Sequence, residues 1–506
     1  MRGSRPLKRD PSAREASATA ERSRWIALYV LCVGMLMIVL DVTVVNVALP
    51  SIQEDLGFSS SSLAWVVNAY LIAFGGLLLL AGRLGDLIGR RRVFLAGVTV
   101  FTCSSLLCGL AQSQALLVAA RFVQGIGGAM TSAVILGMIV TMFPEPREQA
   151  KAIGVYAFVA SAGGAVGLVA GGVLTQTINW HWIFFINLPI GGLTAVLAAR
   201  LLKSERGIGL GAGADVLGAI LITTPLMLGV YTIVGPAAED GWGASTTLAL
   251  AAVCVLLLAA FLVREANARS PLVPLRILRS RSLVAANAVQ VLSVAGMFGM
   301  FFLGALYLRR VLGYDSLEIG LAFLPVTITM GTLSIRYSER LVTRFGAHAM
   351  LLPGLALIMG GLMWFARAPV SAAYLTSVAP SMVLLGLGAG ICFPALMNVA
   401  MSSATPEDAG LASGLVNTTA QVGGALGLAV LATLSASRAQ HLSPHGDPSA
   451  AALTSGYHLA FWIAAALVAG AMVLAFSVLG VRRQASAERP GGREFAETGA
   501  AHSEAL

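Results

Sequence analysis

Long apolar stretches recur along the whole of this 506-residue chain, and they constrain its fold more than any other feature. A stretch of about 18 or more apolar residues is long enough to cross a bilayer as a helix. The composition agrees, since 57% of the residues are hydrophobic and only 11% are charged. A chain with so few polar residues cannot cover the surface of a water-soluble multidomain enzyme. The sequence therefore predicts a membrane protein.

A window of about 19 residues divides these stretches into separate predicted spans. Their ranges are 25–48, 62–81, 93–111, 114–142, 152–174, 181–202, 215–234, 244–264, 283–308, 318–335, 348–366, 374–400, 410–434 and 456–480. We therefore expect an all-α membrane protein with 14 transmembrane helices.

The basic residues indicate the orientation of these spans. With both termini placed in the cytoplasm, 28 of the 33 Lys and Arg residues fall in cytoplasmic segments, four fall outside and one, Arg121, lies within a span. Lys and Arg near the ends of spans resist translocation, so this asymmetry favours cytoplasmic termini. The net charge of +9 is then a consequence of topology, and we expect no nucleic-acid partner.

Short motifs repeat at nearly one offset, which predicts two related halves. RLGDLIG at 83–89 matches RLVTRFG at 340–346, and GGAVGL at 163–168 matches GGALGL at 423–428. Parallel six-helix repeats are typical of major facilitator transporters. The predicted organisation comprises a cytoplasmic tail, a six-helix bundle, an inserted helix pair with its flanking loops, a second six-helix bundle and a second cytoplasmic tail. Their ranges are 1–24, 25–202, 203–282, 283–480 and 481–506.

The sequence gives no sign of a cofactor or a metal. All five cysteines, Cys32, Cys103, Cys108, Cys254 and Cys392, fall in apolar stretches without a CxxC motif, so we interpret them as packing residues. No Walker A motif is present to couple transport to ATP hydrolysis, and an ion gradient is the expected energy source.

The motifs resemble those of one family, the fourteen-span drug:proton antiporters of the major facilitator superfamily (EmrB/QacA type). The resemblance covers about 25–480 and depends on five motifs in order. They are LDVTVVNVALP at 40–50, GRLGDLIGRRR at 82–92, RFVQGIGGA at 121–129, WHWIFFINLPIG at 180–191 and GLASGLVNTTAQVGGALGLA at 410–429. Two residues depart from the family pattern, Leu168 in place of Pro and His181 in place of Arg.

Asp41 is the only carboxylate deep inside a predicted span. A charge at the centre of a span costs roughly 2.5–3.5 kcal/mol on insertion scales. Loss of water favours the neutral form of a carboxyl group, which suits a proton carrier. The alternative is an interfacial cap. Helical spacing places Asp41 on one face with Gly34, Ile38, Val45 and Ala48, and we expect this face to border the transport cavity.

Arg121 is the basic residue within a span, and its guanidinium stays charged, so it must find acceptors or water. The resemblance implies a role in proton coupling, whereas the alternative is a structural arginine that binds backbone carbonyls or extends to the interface. In the loop at 82–92, Gly82, Asp86, Gly89 and Arg90 are candidates for a conformational latch. The alternative for this basic loop is an anchor on anionic lipid headgroups.

Two further sets of residues are candidates for helix packing and for substrate binding. Glycines at every fourth position permit close helix approach, and we expect them to form the seam between the halves. They are Gly163, Gly167 and Gly171 in the fifth span, and Gly423 and Gly427 in the thirteenth. Aromatic and amide side chains suit lipophilic substrates, although most such residues only pack. The weak substrate-binding candidates are Trp65, Asn68, Asn287, Gln290, Phe298 and Asn398.

The sequence as a whole predicts a proton-driven exporter of lipophilic, drug-like small molecules in the cytoplasmic membrane. Its expected partners are the substrate, protons and membrane lipid. An uptake carrier of the same fold is one alternative. A polytopic membrane enzyme is another, but it would need carboxylates or metal ligands gathered at one membrane face, and the sequence shows no such cluster.

Overall fold

The computed structural model describes residues 11–59, 61–202, 207–209, 215–268, 271–274, 276–402, 409–443 and 449–479. These residues form helices joined by turns and short loops, without a strand among them, which confirms the all-α prediction. Residues 1–10 of the predicted N-terminal tail, and the whole predicted C-terminal tail at 481–506, lie outside the described residues.

The long helices, numbered in chain order, correspond to the predicted spans. They are α1 (Pro11–Leu56), α2 (Ala64–Ile88), α3 (Arg90–Gly109), α4 (Gln114–Met142), α5 (Pro146–Thr177), α6 (Trp182–Leu201), α7 (Val216–Glu239), α8 (Ser245–Asn267), α9 (Arg281–Arg310), α10 (Ser316–Arg336), α11 (Ala347–Phe365), α12 (Tyr374–Met401), α13 (Ala409–Leu442) and α14 (Ala450–Leu474). Within the described part of the chain, 13 helices are long and apolar enough to cross a membrane. The long helix outside that count is α5, whose 32 residues contain the predicted fifth span.

Helix ends follow from local chemistry and show the internal repeat in the backbone. Asp315 caps α10 by accepting a hydrogen bond from the backbone N–H of Glu318, whose carboxylate accepts one from the N–H of Asp315 in return. Gly89 separates α2 from α3 with a φ of 101°, and Gly346 precedes α11 with a φ of 85°. These two glycines occupy matching places in the repeated motif, where a residue with a Cβ atom would be strained.

The helices pack as two groups of six. In the first group α1 packs on α4, α5 and α6, while α2 and α3 pack on α4. In the second group α9 packs on α13 and α14, and α12 packs on α10 and α11. The inserted helices α7 and α8 pack on each other, and α7 also contacts α2 and α13. The residue boundaries of the five predicted segments stay a prediction.

The two halves meet along α5 and α10, α2 and α13, and α1 and α9. We call the side that holds the turn between α2 and α3 the inner face, following the predicted topology, and the opposite side the outer face. At the outer face Arg309 on α9 binds both carboxylate oxygens of Glu54 on α1, with N–O distances of 3.2 Å. The two halves are therefore joined at the outer face in this conformation.

The predicted glycine seam lies elsewhere than expected. A Cβ atom on Gly163, Gly167 or Gly171 would meet α1, and one on Gly423 or Gly427 would meet α9, so both stripes pack inside their own halves. The prediction that these glycines form the seam between the halves is therefore wrong.

The glycines beside the first stripe lie in the contact between α5 and α10 of the two halves. A Cβ atom on Gly172 would lie 2.8 Å from the Leu317 Cα atom on α10, and one on Gly164 would lie 3.8 Å from a Thr327 methyl group. Consecutive helical residues differ by about 100° around the axis. One side of α5 therefore packs within its half while the next contacts the other half.

Candidate functional site

A buried ion pair lies at the centre of the N-terminal half. The carboxylate of Asp41 on α1 accepts a hydrogen bond from the Arg121 guanidinium on α4, with a distance of 2.5 Å between Oδ2 and Nη1. Asp41 is fully buried and Arg121 is 1% exposed. Two charges in such a place stabilise each other only with good geometry and further hydrogen bonds.

Neighbouring polar side chains supply those hydrogen bonds. The second carboxylate oxygen of Asp41, Oδ1, accepts from the amide groups of Gln124 at 2.7 Å and Asn187 at 3.2 Å. Both amides also donate to the hydroxyl of Ser105 on α3. The network therefore joins α1, α3, α4 and α6 around one carboxyl group. A change of charge on Asp41 alters the hydrogen bonds of all four helices.

The guanidinium of Arg121 makes contacts beyond the ion pair. Its Nε donates to the carbonyl oxygen of Val66 on α2 at 3.0 Å, and Nη1 also reaches the Gln124 side-chain oxygen at 2.7 Å. The guanidinium carbon lies 4.5 Å from the ring centre of Tyr70, a cation–π contact. The carbonyl-binding role foreseen for a structural arginine and the pairing with Asp41 are therefore both present in one side chain.

The burial of Asp41 inside the helix bundle argues against the alternative of an interfacial cap. The part of α1 that is long and apolar enough to cross a membrane runs from Arg22 to Leu56, and Asp41 lies near its middle. The expectation that its face borders the cavity is wrong in this conformation, because Ile38 and Val45 beside it are buried within the bundle. Asp41 points inward because its charge needs the partners found there. Val42 and Asn46, on the other side of α1, are only half-buried.

The latch candidates make contacts within the N-terminal half. Arg90 binds Asp86 at 3.3 Å and the carbonyl oxygen of Gly137 on α4 at 3.0 Å. The backbone oxygen of Asp86 accepts from the N–H of Ile208, in the segment that leads to the inserted helices. Gly82 has only a distant neighbour on α4. The role of this loop as a latch between conformations stays a prediction.

The substrate-binding candidates differ in their access to a ligand. Trp65, Gln290 and Phe298 are half-buried and Asn398 is exposed, so their roles stay predictions. Asn287 is 8% exposed. Its side-chain oxygen accepts a hydrogen bond from the Thr419 hydroxyl, and its side-chain nitrogen donates one to the carbonyl oxygen of Leu283. Asn68 is fully buried. These two asparagines are therefore not accessible to a ligand in this conformation, because the packing of their helices encloses them.

Sequence reasoning missed Asn187, Ser105 and Glu265. Asn187 lies within the motif WHWIFFINLPIG, and an amide in an apolar span was the signal that could have identified it. Ser105 carried no signal of its own, because a serine in a span commonly bonds to its own helix. Glu265 was missed because the predicted span stopped at residue 264, whereas α8 continues to Asn267 and buries Glu265.

The network predicts how Arg121 responds to substitution. We expect Arg121→Ala to lose transport completely and Arg121→Lys to retain a measurable fraction, because lysine keeps the charge but cannot reach Asp41 and the Val66 carbonyl together. Transport of a fluorescent substrate in membrane vesicles, normalised to the amount of folded protein, measures this difference. Wild-type rates in both variants would restrict Arg121 to helix packing.

Two bundles of six helices, an inserted pair and a buried ion pair define a polytopic membrane transporter. The chain belongs to the major facilitator superfamily, whose family model matches residues 31–428. This finding confirms the resemblance and the predicted fold, and it identifies a transporter rather than an enzyme.

Several relatives of known name cover nearly the whole chain. The puromycin resistance protein of Streptomyces alboniger is 38% identical over 471 residues, which cover 92% of this chain and 93% of the relative. The cephamycin export protein of Amycolatopsis lactamdurans is 39% identical over 447 residues, which cover 86% and 92%. The lincomycin resistance protein of Streptomyces lincolnensis is 37% identical over 447 residues, which cover 88% and 90%.

A solved structure agrees in fold. It is the crystal structure of a bacterial homologue of the human lysosomal transporter Spinster, in an inward-facing and unoccupied conformation. The two share 17% sequence identity with a TM-score of 0.63, and the match covers 90% of this chain and 96% of that chain.

Proposed function

We propose that this transporter exports a lipophilic, antibiotic-like small molecule across the cytoplasmic membrane in exchange for protons. The names of the resistance and export relatives support the substrate class and the direction. The observation that supports proton coupling is the buried Asp41–Arg121 pair. A buried carboxylate that binds a proton loses its charge, so its bond to the arginine changes.

The contacts of α1 suggest how a proton on Asp41 affects the contact between the halves at the outer face. Protonation of Asp41 removes the charge that Arg121 binds, while the bond from Arg121 to Val66 on α2 remains. The interaction between α1 and α4 therefore weakens, because it includes the Asp41–Arg121 ion pair. The same α1 carries Glu54, which is bound to Arg309 of the other half at the outer face. A shift of α1 therefore reaches the outer closure directly, as alternating access requires.

The proposed topology places the inner face in the cytoplasm. In the described conformation Asp41 has no exposed surface, so exchange of its proton requires movement of the surrounding helices. A substrate enters from the inner side, binds between the halves and leaves when the outer contacts separate. The half-buried face of α1 at Val42 and Asn46 is available to line that path.

Survival of a sensitive bacterial strain tests the proposal. A strain that expresses the protein is expected to tolerate at least one lipophilic antibiotic from a panel that includes puromycin and lincomycin. A proton uncoupler should restore accumulation of that compound in the cells. Accumulation of the compound inside right-side-out energised vesicles would instead identify an uptake carrier and contradict export.

Dependence on membrane potential is a second expected result. If Asp41 carries one proton per cycle, exchange for a monovalent cation moves no net charge, whereas exchange for a neutral substrate moves one. A potential of 100 mV contributes about 2.3 kcal/mol for each charge moved. We expect efflux of a monovalent cation to follow the pH gradient and to ignore valinomycin-imposed potentials. Strong potential dependence with such a cation would exclude the one-proton scheme.

A further inference from the structure

A buried acidic residue lies at the inner end of the inserted helix pair, far along the chain from the Asp41 network. Glu265 is in the last turn of α8 and is 3% exposed, although its neighbour Arg264 has a side chain that is 42% exposed. One carboxylate oxygen, Oε2, accepts a hydrogen bond from the backbone N–H of Val273 at 2.8 Å. Within the described residues, the other oxygen, Oε1, is buried and has no hydrogen-bond partner.

Among the described residues, Glu265 and the charged groups close to it include one more acid than base. Asp215 caps α7 and binds Arg264, whose Nε lies 3.2 and 3.3 Å from its two carboxylate oxygens. A Cβ atom on Gly218 would lie 2.9 Å from both Asp215 Oδ2 and Glu265 Oε1, so the two carboxylates face the same small volume. Two acidic groups therefore share one guanidinium, and that guanidinium binds Asp215. An unpaired buried carboxylate is unfavourable unless it binds a proton or another cation.

Glu265 holds a short segment against the helices that join the halves. We call Pro271–Pro274 the strap. Its two prolines restrict the backbone to extended conformations. Leu272 and Val273 of the strap pack in a small apolar cluster with Leu80 of α2 and Ala219 of α7, and Leu415 of α13 packs against this cluster. The strap therefore covers the inner part of the α2–α13 contact.

We propose that Glu265, beside Asp215, is a second proton-binding site, and that the bound proton keeps the strap docked on α2 and α13. Among the described residues, two charged groups act on Glu265, namely Asp215 of α7 and Arg264 of its own helix, whereas α2 and α13 contribute apolar side chains to the cluster. The ligand is a proton taken directly from water at the inner face, so no other reactant is involved. Because this site lies at one face only, its proton regulates the transporter and is not carried across.

The direction of the pH effect follows from linkage. The docked strap buries Glu265 and therefore binds the proton more tightly than the released strap, in which the carboxyl is hydrated. Docking is strongest at low pH, where both forms hold the proton. Docking weakens as pH rises, because the released strap then loses its proton to water. The docked strap must either regain that proton or bury a negative charge.

Chemical labelling of the strap tests this site without substrate or gradient, so its result is separate from that of the proposed export. Leu272→Cys is introduced after the five native cysteines are replaced, and its reaction with a maleimide is followed from pH 4 to pH 9. A second preparation also carries Glu265→Gln, which keeps an oxygen acceptor for Val273. Dividing the two rates at each pH removes the pH dependence of the thiol itself.

We expect similar rates in the two proteins near pH 4, where the hydrated carboxyl of the released strap also holds its proton. Above about pH 4.5 the rate with Glu265 should exceed the rate with Gln by about tenfold more for each pH unit, until the docked carboxyl also ionises or the strap is fully released. Asp215→Asn removes a negative neighbour of Glu265, so the rise should end at a lower pH. Glu239→Gln, at the other end of the same helix pair, serves as the control and should leave the profile unchanged.

Two results would overturn the proposal. A constant ratio at every pH would show that Glu265 exchanges no proton in this range. Fast labelling of the Glu265→Gln protein already at pH 6 would show that the strap needs an ionised anchor and not a protonated one.

Discussion

Asp41→Asn is expected to reduce proton-driven efflux to the level of vesicles that lack the protein. Asparagine cannot titrate, so the cycle loses the group that we propose to carry the proton. Its amide nitrogen also replaces one of the two acceptor oxygens, so it meets either the Arg121 donor or the Gln124 and Asn187 donors where the carboxylate had accepted their hydrogen bonds. Efflux from vesicles with an imposed pH gradient measures the loss.

Loss of stability must be separated from loss of coupling. Removal of one partner from a buried ion pair costs about 3–5 kcal/mol, because the remaining charge has no counter-charge. The double variant Asp41→Asn with Arg121→Gln contains neither charge and should regain thermal stability without regaining transport. Proton-driven efflux in the folded double variant would remove Asp41 from the coupling mechanism.

Gly172→Leu is expected to prevent closure of the outer face and to abolish transport. The position of its Cβ atom is 2.8 Å from both the Leu317 Cα atom and the Ser316 carbonyl oxygen, so the backbone of α10 must move away from α5. Overpacking of this kind costs about 1–3 kcal/mol, which shifts an equilibrium between two conformations by about 5–150-fold. The shift favours the outward-open conformation, in which this contact is broken.

The same helix provides a matched control. Gly154 on α5 has no atom within 4 Å of its Cβ position, so Gly154→Leu should transport normally. Ser316→Cys, in a protein without its native cysteines, reports closure through its protection from an impermeant maleimide added outside. Protection should be lost with Gly172→Leu and retained with Gly154→Leu. Equal protection in both variants, with transport intact, would mean that α5 and α10 do not form the outer closure.

The fold could be predicted because its determinants are local in sequence. A transmembrane helix satisfies its own backbone hydrogen bonds, so length and hydropathy were sufficient to locate the helices. The repeat at 83–89 and 340–346 indicated two halves, and it is visible in the backbone as the positive φ angles of Gly89 and Gly346. The predicted eighth span ended too early, at residue 264, because charged residues normally end an apolar stretch. In the structure α8 continues past this point, and Glu265 is buried close to Arg264 and Asp215.

The site was predicted only in part. Asp41 and Arg121 stood out because a charge is expensive inside a membrane, and the structure places them together. The direction in which Asp41 points could not be derived from helical spacing alone. Spacing shows which residues share a face, but not whether that face meets the cavity or another helix.

The sequence by itself determined the number of helices, the division into halves and the identity of the buried ionisable pair, because each depends on the cost of exposing backbone or charge to lipid. The tertiary structure alone decided which partners those groups bind. The Asn187 and Ser105 contacts to Asp41, the meeting of Gly172 with α10 and the burial of Glu265 beneath the strap all join residues that are distant in the chain. Such contacts depend on how helices rotate and pack against one another, and the hydropathy of a single segment carries no information about that rotation.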